Sequence, residues 1–221
     1  MRRQGRNDDM SDQYIFGYGS LIQRESRLST MASATTVWPA VVSGIARGWF
    51  DQWGPEDSPS WSPTWLGAVP DANAICNGVI FAVSPSDLGA FNKREAGYLP
   101  SRIETSRITM LDGSSAPPDG DVWYYATREF RVASPMHPIV QSYVDTCLGG
   151  CLEIESEYPL AKTANFARQF IQTTTHWQTP WINDRIYPWR PYVYVPQAET
   201  IDGLLQELLG RDLFDEITLP G

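Results

Sequence analysis

Residues 14–26 read YIFGYGSLIQRES. A short apolar run, Tyr14-Ile15-Phe16, breaks into Gly17-Tyr18-Gly19-Ser20, and Leu21 and Ile22 then open what reads as a helix. A strand followed at once by two glycines and a serine is a strand-to-helix turn. Ser20 and Gln23 have capping-box spacing, which predicts that Ser20 begins the helix. The free N–H groups of the first turn and the positive helix end then face one point, a place that binds carboxylate or phosphate without a basic side chain. An ordinary tight turn is the competing reading. Nucleotide binding fails on detail, because no Lys-Ser/Thr pair follows and no third glycine stands at dinucleotide spacing. Nor is Ser20 a nucleophile elbow, since Tyr18 and Ile22 occupy the positions where that motif needs glycine.

Beyond this turn, residues 35–53 (TTVWPAVVSGIARGWFDQW) are rich in β-branched and aromatic residues and read as extended strand. Residues 54–63 (GPEDSPSWSP) are Pro/Ser-rich and acidic, which predicts an exposed loop. Two strands are expected at 64–70 and 76–84, divided by a turn at Asp71 to Asn73. Ser84 followed by Pro85 marks a helix start, and Gly97 its stop. Further strands are expected at 101–111 and 121–129, with the turn DGSSAPPDGD between them. From His137 the pattern is helical over 137–158, 160–175 and 198–210, and the intervening residues 176–196 are dense in Trp, Tyr and Pro. Strands first and helices later predict an α+β domain with an antiparallel or mixed sheet that can close into a small barrel. Residues 1–12 read as a disordered leader, 13–135 as the core, and 136–221 as a helical, aromatic-rich part packed on the same domain.

The 221 residues suffice for one well-buried core. A formal charge of −9 argues against nucleic acid or an anionic membrane surface as partner, because no basic stripe is available to neutralise phosphates. The leader has no apolar run behind its arginines, and later apolar runs fall short of the roughly 20 residues that span a bilayer. The expectation is a soluble, cytoplasmic protein acting on small molecules or proteins. Cys76, Cys147 and Cys151 read as reduced, buried thiols. With only two histidines in the chain, a zinc site is not expected.

Glu95 is the second candidate. Leu88, Phe91 and Glu95 fall three and four apart and share one helix face, whereas Lys93 and Arg94 point elsewhere. A carboxylate on an apolar face without a local partner is placed to take and give protons near neutrality. A glutamate paired with distant Arg102 or Arg107 is the competing reading. His137 reads as a helix-start residue and His176 as part of the aromatic tail. No serine or cysteine stands beside a histidine, so covalent catalysis has no evident machinery. The tail reads as a packed lid or core flank, with pocket lining as the alternative.

Together, YIFGYGSLI, NGVIFAV and KREAGYLPSRIE, in this order and spacing, resemble the gamma-glutamylcyclotransferase superfamily, its glutathione-specific branch most in the motifs. The resemblance covers roughly residues 14 to 130; the segment from 131 onward, with PWINDRIYPWRPY, departs from it. It implies a small mixed β-barrel with flanking helices, no metal or cofactor, and release of 5-oxoproline from a gamma-glutamyl compound. It further implies that Gly17, Tyr18, Gly19, Ser20 and Leu21 hold the glutamyl moiety, that Glu95 is the acid/base, and that Tyr98 and either Tyr124 or Tyr125 belong to the pocket. The chemistry unites the two motifs. A gamma-glutamyl amide carries its own nucleophile, the α-amine, and well-oriented intramolecular attack reaches effective concentrations of about 10⁵ M or more. A binding module of the same fold, or an amide hydrolase using water, is the alternative. Oligomeric state is not readable.

Overall fold

The computed structural model describes residues 12–52, 62–95, 97–189 and 195–219. The leader up to residue 11, the loop expected at 54–63 as far as residue 61, and residues 190–194 of the tail lie outside the described residues. In chain order the elements are β1 (Gln13–Gly17), α1 (Arg24–Thr30), β2 (Trp38–Asp51), β3 (Trp65–Val83), α2 (Pro85–Arg94), β4 (Tyr98–Ile103), β5 (Ile108–Met110) and β6 (Asp121–Thr127). There follow β7 (Ile139–Val140), α3 (Gln141–Glu157), α4 (Pro159–Thr163), α5 (Phe166–Thr173), β8 (Thr174–Thr175), β9 (Trp181–Ile182), α6 (Ala198–Leu209) and α7 (Arg211–Asp215).

The fold is α+β, with a mixed sheet in the order β4-β6-β1-β3-β2-β5 and β8 added to β2. It is an open sheet, which corrects the expected barrel: β4 and β5 are its two ends and do not pair. A 3-10 turn at Thr105–Arg107 carries the chain from β4 across to β2, where the three residues of β5 add to the far edge. Closure would need strands on both ends long enough to share a ladder.

The two strands expected at 64–84 are one strand, β3, of 19 residues. The Asp71 turn signal is real but local: the Asn73 N–H donates to Asp71 Oδ1 at 2.9 Å, and the register with β2 jumps between Ser43/Ile75 and Ile45/Pro70. The turn is absorbed as a bulge, opposite Gly44 at φ 80°. The helix expected at 160–175 is two, α4 and α5, broken at Asn165 in the left-handed conformation. His137 does not start α3. It lies before β7, with its Nδ1 2.8 Å from Ser62 Oγ, and α3 begins at Gln141.

Alternation along the strands sorts the core into two layers. Ile15, Val79, Phe81 and Tyr125 face the layer covered by α3, α5 and α6, whereas Tyr14, Phe16, Ile80, Val122 and Tyr124 face the other. The described part of the tail flanks the first layer: Trp181 is buried and stacks on Trp177 at 5.4 Å. Arg185 fastens it, held between Asp145 of α3 at 2.8 Å and Asp202 of α6 at 2.7 Å. Cys76, Cys147 and Cys151 are buried and not in disulfides, and burial pushes the Cys76 and Cys151 thiols up. No helix among the described residues is long and apolar enough to cross a membrane.

Candidate active site

The site stands at the end of the central strands. β1 pairs antiparallel with β3 and parallel with β6, where Ile15 faces Trp123. Beyond the end of that ladder the Tyr18 hydroxyl donates to the Tyr125 carbonyl at 2.6 Å, tying the glycine turn to β6. β4 lies on the other side of β6, with Pro100 opposite Tyr125 and Tyr98 opposite Thr127. The corner before Tyr98 therefore reaches the glycine turn, although 75 or so positions of sequence separate them. Here a cavity of about 340 Å³ opens, lined by residues 15–21, Trp65, Leu66, Glu95, Tyr98, Tyr125 and Tyr143.

The expected capping box does not form. Ser20 begins a 3-10 turn, Ser20–Ile22, and α1 starts only at Arg24, with Gln23 as its N-cap and no side-chain cap bond. The reason lies in α3. An added Cβ at Gly150 would stand 2.4 Å from the Gln23 nitrogen, so the helix presses directly on the chain at Gln23. A glycine inside a helix costs roughly 1 kcal/mol relative to alanine; here Gly150 permits that approach, whereas a Cβ at its neighbour Gly149 would meet nothing nearer than 3.7 Å. The Ile22 and Gln23 N–H groups bond to the Gly19 and Ser20 carbonyls, and the first N–H groups of such a turn have no partner within it. Gly17 must be glycine for space: a Cβ would lie 2.8 Å from that of Leu21.

Gly19 faces Tyr143, whose hydroxyl would be 3.1 Å from an added Cβ, with Leu66 Cδ1 at 3.6 Å. Gly19→Val is expected to raise KM by about tenfold or more, worth ~1.4 kcal/mol, with little change in melting temperature. A variant with parental KM would make the turn plain architecture.

Glu95 is not on the helix stripe. It is the residue after α2, its N–H on the Phe91 carbonyl and its own carbonyl receiving the Tyr98 N–H at 2.8 Å. The corner holds its backbone at both groups and presents its half-buried side chain to the cavity. The arginines considered as distant partners are engaged elsewhere: Arg102 with Asp121 at 2.6 Å, Arg107 with the Ser43 carbonyl at 2.8 Å. Phenols surround the carboxylate. Burial raises Tyr125 to about 12, aided by the Glu95 charge, and its hydroxyl donates to Asn92 Oδ1 at 2.9 Å. Burial also holds Tyr18 well above the ordinary value, with Asp51, Tyr143 and Glu95 adding to it.

Of the two tyrosines left open by the sequence, Tyr125 lines the cavity and Tyr124 faces the opposite layer, so Tyr124 is removed from the candidate set. Gly17, Tyr18, Gly19, Ser20, Leu21, Glu95, Tyr98 and Tyr125 are brought together. Tyr125→Phe is expected to reduce kcat/KM by about threefold to tenfold, the worth of one hydrogen bond, and Tyr124→Phe to leave it unchanged; the reverse order in steady-state kinetics would contradict this placement.

Tyr143, Trp65 and Leu66 were not expected. Tyr143 comes from α3 and is held edge-on by Trp65 at 4.8 Å and Trp49 at 5.7 Å. Nothing local announces it beyond a phenol in a helix buried on nearly every side. Asp51 is a buried carboxylate hydrogen-bonded to Tyr98, whose phenol burial pushes up. Its signal was present, a lone acid in the aromatic run GWFDQW. Among the described residues no cluster of three or more His, Cys, Asp or Glu could hold a metal ion.

Comparison with solved structures concerns the fold. A gamma-glutamyl cyclotransferase superposes with a TM-score of 0.54 at 13% identity, over 89% of this chain and 99% of that one. An uncharacterized protein from Homo sapiens does so equally, with a TM-score of 0.54 at 14% identity over 89% and 99% of the two chains. No family model matches the chain, and no curated protein matches it. The chain has the fold of the gamma-glutamyl cyclotransferases. At 13–14% identity the likeness is one of fold.

Proposed function

We propose that this protein is a gamma-glutamylcyclotransferase that releases 5-oxoproline from a small gamma-glutamyl amide or peptide. The observation that carries the reading is the convergence of the Gly17–Leu21 turn and Glu95 on one cavity of about 340 Å³. That volume lies at the low end of small-molecule sites, about 300–1,000 Å³, and suits a substrate of dipeptide size, not a macromolecule. The substrate's α-amine attacks its own γ-carbonyl carbon, forming the ring C–N bond. Glu95 accepts the amine proton and returns it to the leaving nitrogen as the old C–N bond breaks, so no water is consumed. The N–H groups of the turn donate to the oxygen as it gains charge, or to the substrate α-carboxylate. Tyr125 stays neutral over the working pH range and, with its one O–H given to Asn92, offers the wall an acceptor.

Incubation with a panel of gamma-glutamyl compounds, read by mass spectrometry, tests this. Free 5-oxoproline with an equal amount of amine is the expected result. Free glutamate would indicate a hydrolase, and binding without turnover a module; either outcome overturns the proposal.

A further inference from the structure

We infer that Arg47, which does not line the cavity, is the buried cation that aims the Tyr18–Gly19 peptide at the substrate. Arg47 is a positioning residue of β2 and is fully buried. Its Nη1 donates to the Tyr18 carbonyl at 3.1 Å and to the Asn77 carbonyl at 2.8 Å. Its other donors reach Thr174 Oγ1, Asn77 Oδ1, the Phe170 carbonyl and Thr173 Oγ1, and the guanidinium lies 3.7 Å over the Phe170 ring.

Every acceptor is neutral. The carbonyl end of α5 offsets part of the charge as a dipole, but no carboxylate among these contacts cancels it. Pinning α5 to the sheet could be done by a neutral side chain at far smaller desolvation cost. What a buried arginine adds is a positive potential in a dry place, directly behind the glycine turn.

The peptide link gives that potential a direction. The Tyr18–Gly19 bond is trans, the one cis bond among the described residues being Thr179–Pro180. In a trans peptide the C=O and the following N–H point in opposite directions. Arg47 draws the Tyr18 oxygen inward, away from the cavity, and so turns the Gly19 N–H to the side that the cavity occupies. The guanidinium also polarises that peptide, strengthening the N–H as a donor.

The site needs such a device. A gamma-glutamyl substrate brings an α-carboxylate to a cavity already holding the Glu95 side chain, and no Lys, Arg or His is among the described lining residues. The identity of that anion rests on the proposed function; the direction of the peptide rests on geometry alone.

The test is a titration of the ¹⁵N-labelled parent with 5-oxoproline and, separately, with acetate, following the Gly19 amide by NMR. The Gly19 signal is expected to shift with both anions and to move more than those of glycines away from the cavity. An unmoved Gly19 signal at high concentrations of both overturns the inference, whatever the turnover. Arg47→Met is expected to weaken anion binding by about tenfold or more, the scale of one lost charge-assisted bond, whereas Leu205→Ala, a core truncation in α6, changes it by less than about twofold as a distant site. Equal losses in two variants of matched melting temperature would reduce Arg47 to a structural pin. Should Arg47→Met not fold, Arg47→Lys retains the charge without the fork and is expected to bind anions with intermediate strength. Binding at parental strength would overturn the inference. If the parent forms no 5-oxoproline from any gamma-glutamyl compound, the proposed reaction falls, and the acetate titration still decides the role of Arg47.

Discussion

Glu95→Gln is expected to lower turnover by about 10²- to 10⁴-fold, the usual worth of a positioned acid/base, while KM and melting temperature stay close to the parent's. Glutamine keeps the shape and the backbone corner, in which Phe91 and Tyr98 bond to main-chain groups of residue 95 and not to its side chain. It cannot accept the amine proton. A spectroscopic companion tests whether the carboxylate is charged where it stands. Burial and the Glu95 charge together hold the Tyr125 phenol at about 12, so the variant should titrate Tyr125 at lower pH in ultraviolet absorbance. The sign for stability follows. An unfolded tyrosine loses its proton near pH 10, the native one near 12, so native Tyr125 binds more protons above pH 10 and stability declines across that window. Near-parental turnover by a pure Glu95→Gln sample would sink the assignment of Glu95.

The second large effect concerns the substrate. A gamma-glutamyl compound acetylated on its α-nitrogen should yield no 5-oxoproline, even where it still binds as a competitor. The amide nitrogen has lost its basicity, and nothing among the described lining residues replaces it: they include no histidine and no cysteine. An enzyme using outside water would not need that amine as nucleophile. N-acetylglutamate formed at a rate comparable to turnover of the free compound would therefore show hydrolysis and defeat the cyclotransferase reading. The two experiments are independent, since Glu95 could activate water as well as an amine. Of these two, the blocked substrate is the one that separates the mechanisms.

What the sequence made legible was local. The glycine turn and the end of α2 are set by residues next to one another, and both sit in the cavity. The strand alternation that put Tyr124 and Tyr125 on opposite faces was equally readable, but which face held the site depended on the β1–β6 pairing, a contact across more than 100 positions. The failed capping box has the same origin. Ser20 and Gln23 had the right spacing, yet Gly150 of α3 sets where the chain can lie at Gln23. The N-terminal turn of α3 is likewise capped from afar, the Ser142 N–H and Oγ both donating to Asp184 at 2.7 and 2.6 Å. Closure of the sheet was misread because a list of strands says nothing about whether its two ends meet. Asp51, by contrast, could have been found, because an acid inside an apolar strand is costly to bury without a reason.

The seating of α3 on the glycine turn also bears on the order in which the chain is made. Every residue of the turn, and Glu95, leaves the ribosome before Tyr143 does, and the layer that α3, α5 and α6 cover stays bare until those helices follow. A nascent chain stopped near residue 135 would carry the two sequence motifs with an uncovered apolar sheet face and no Tyr143 over Gly19. The cavity wall is thus complete only once synthesis has passed Tyr143.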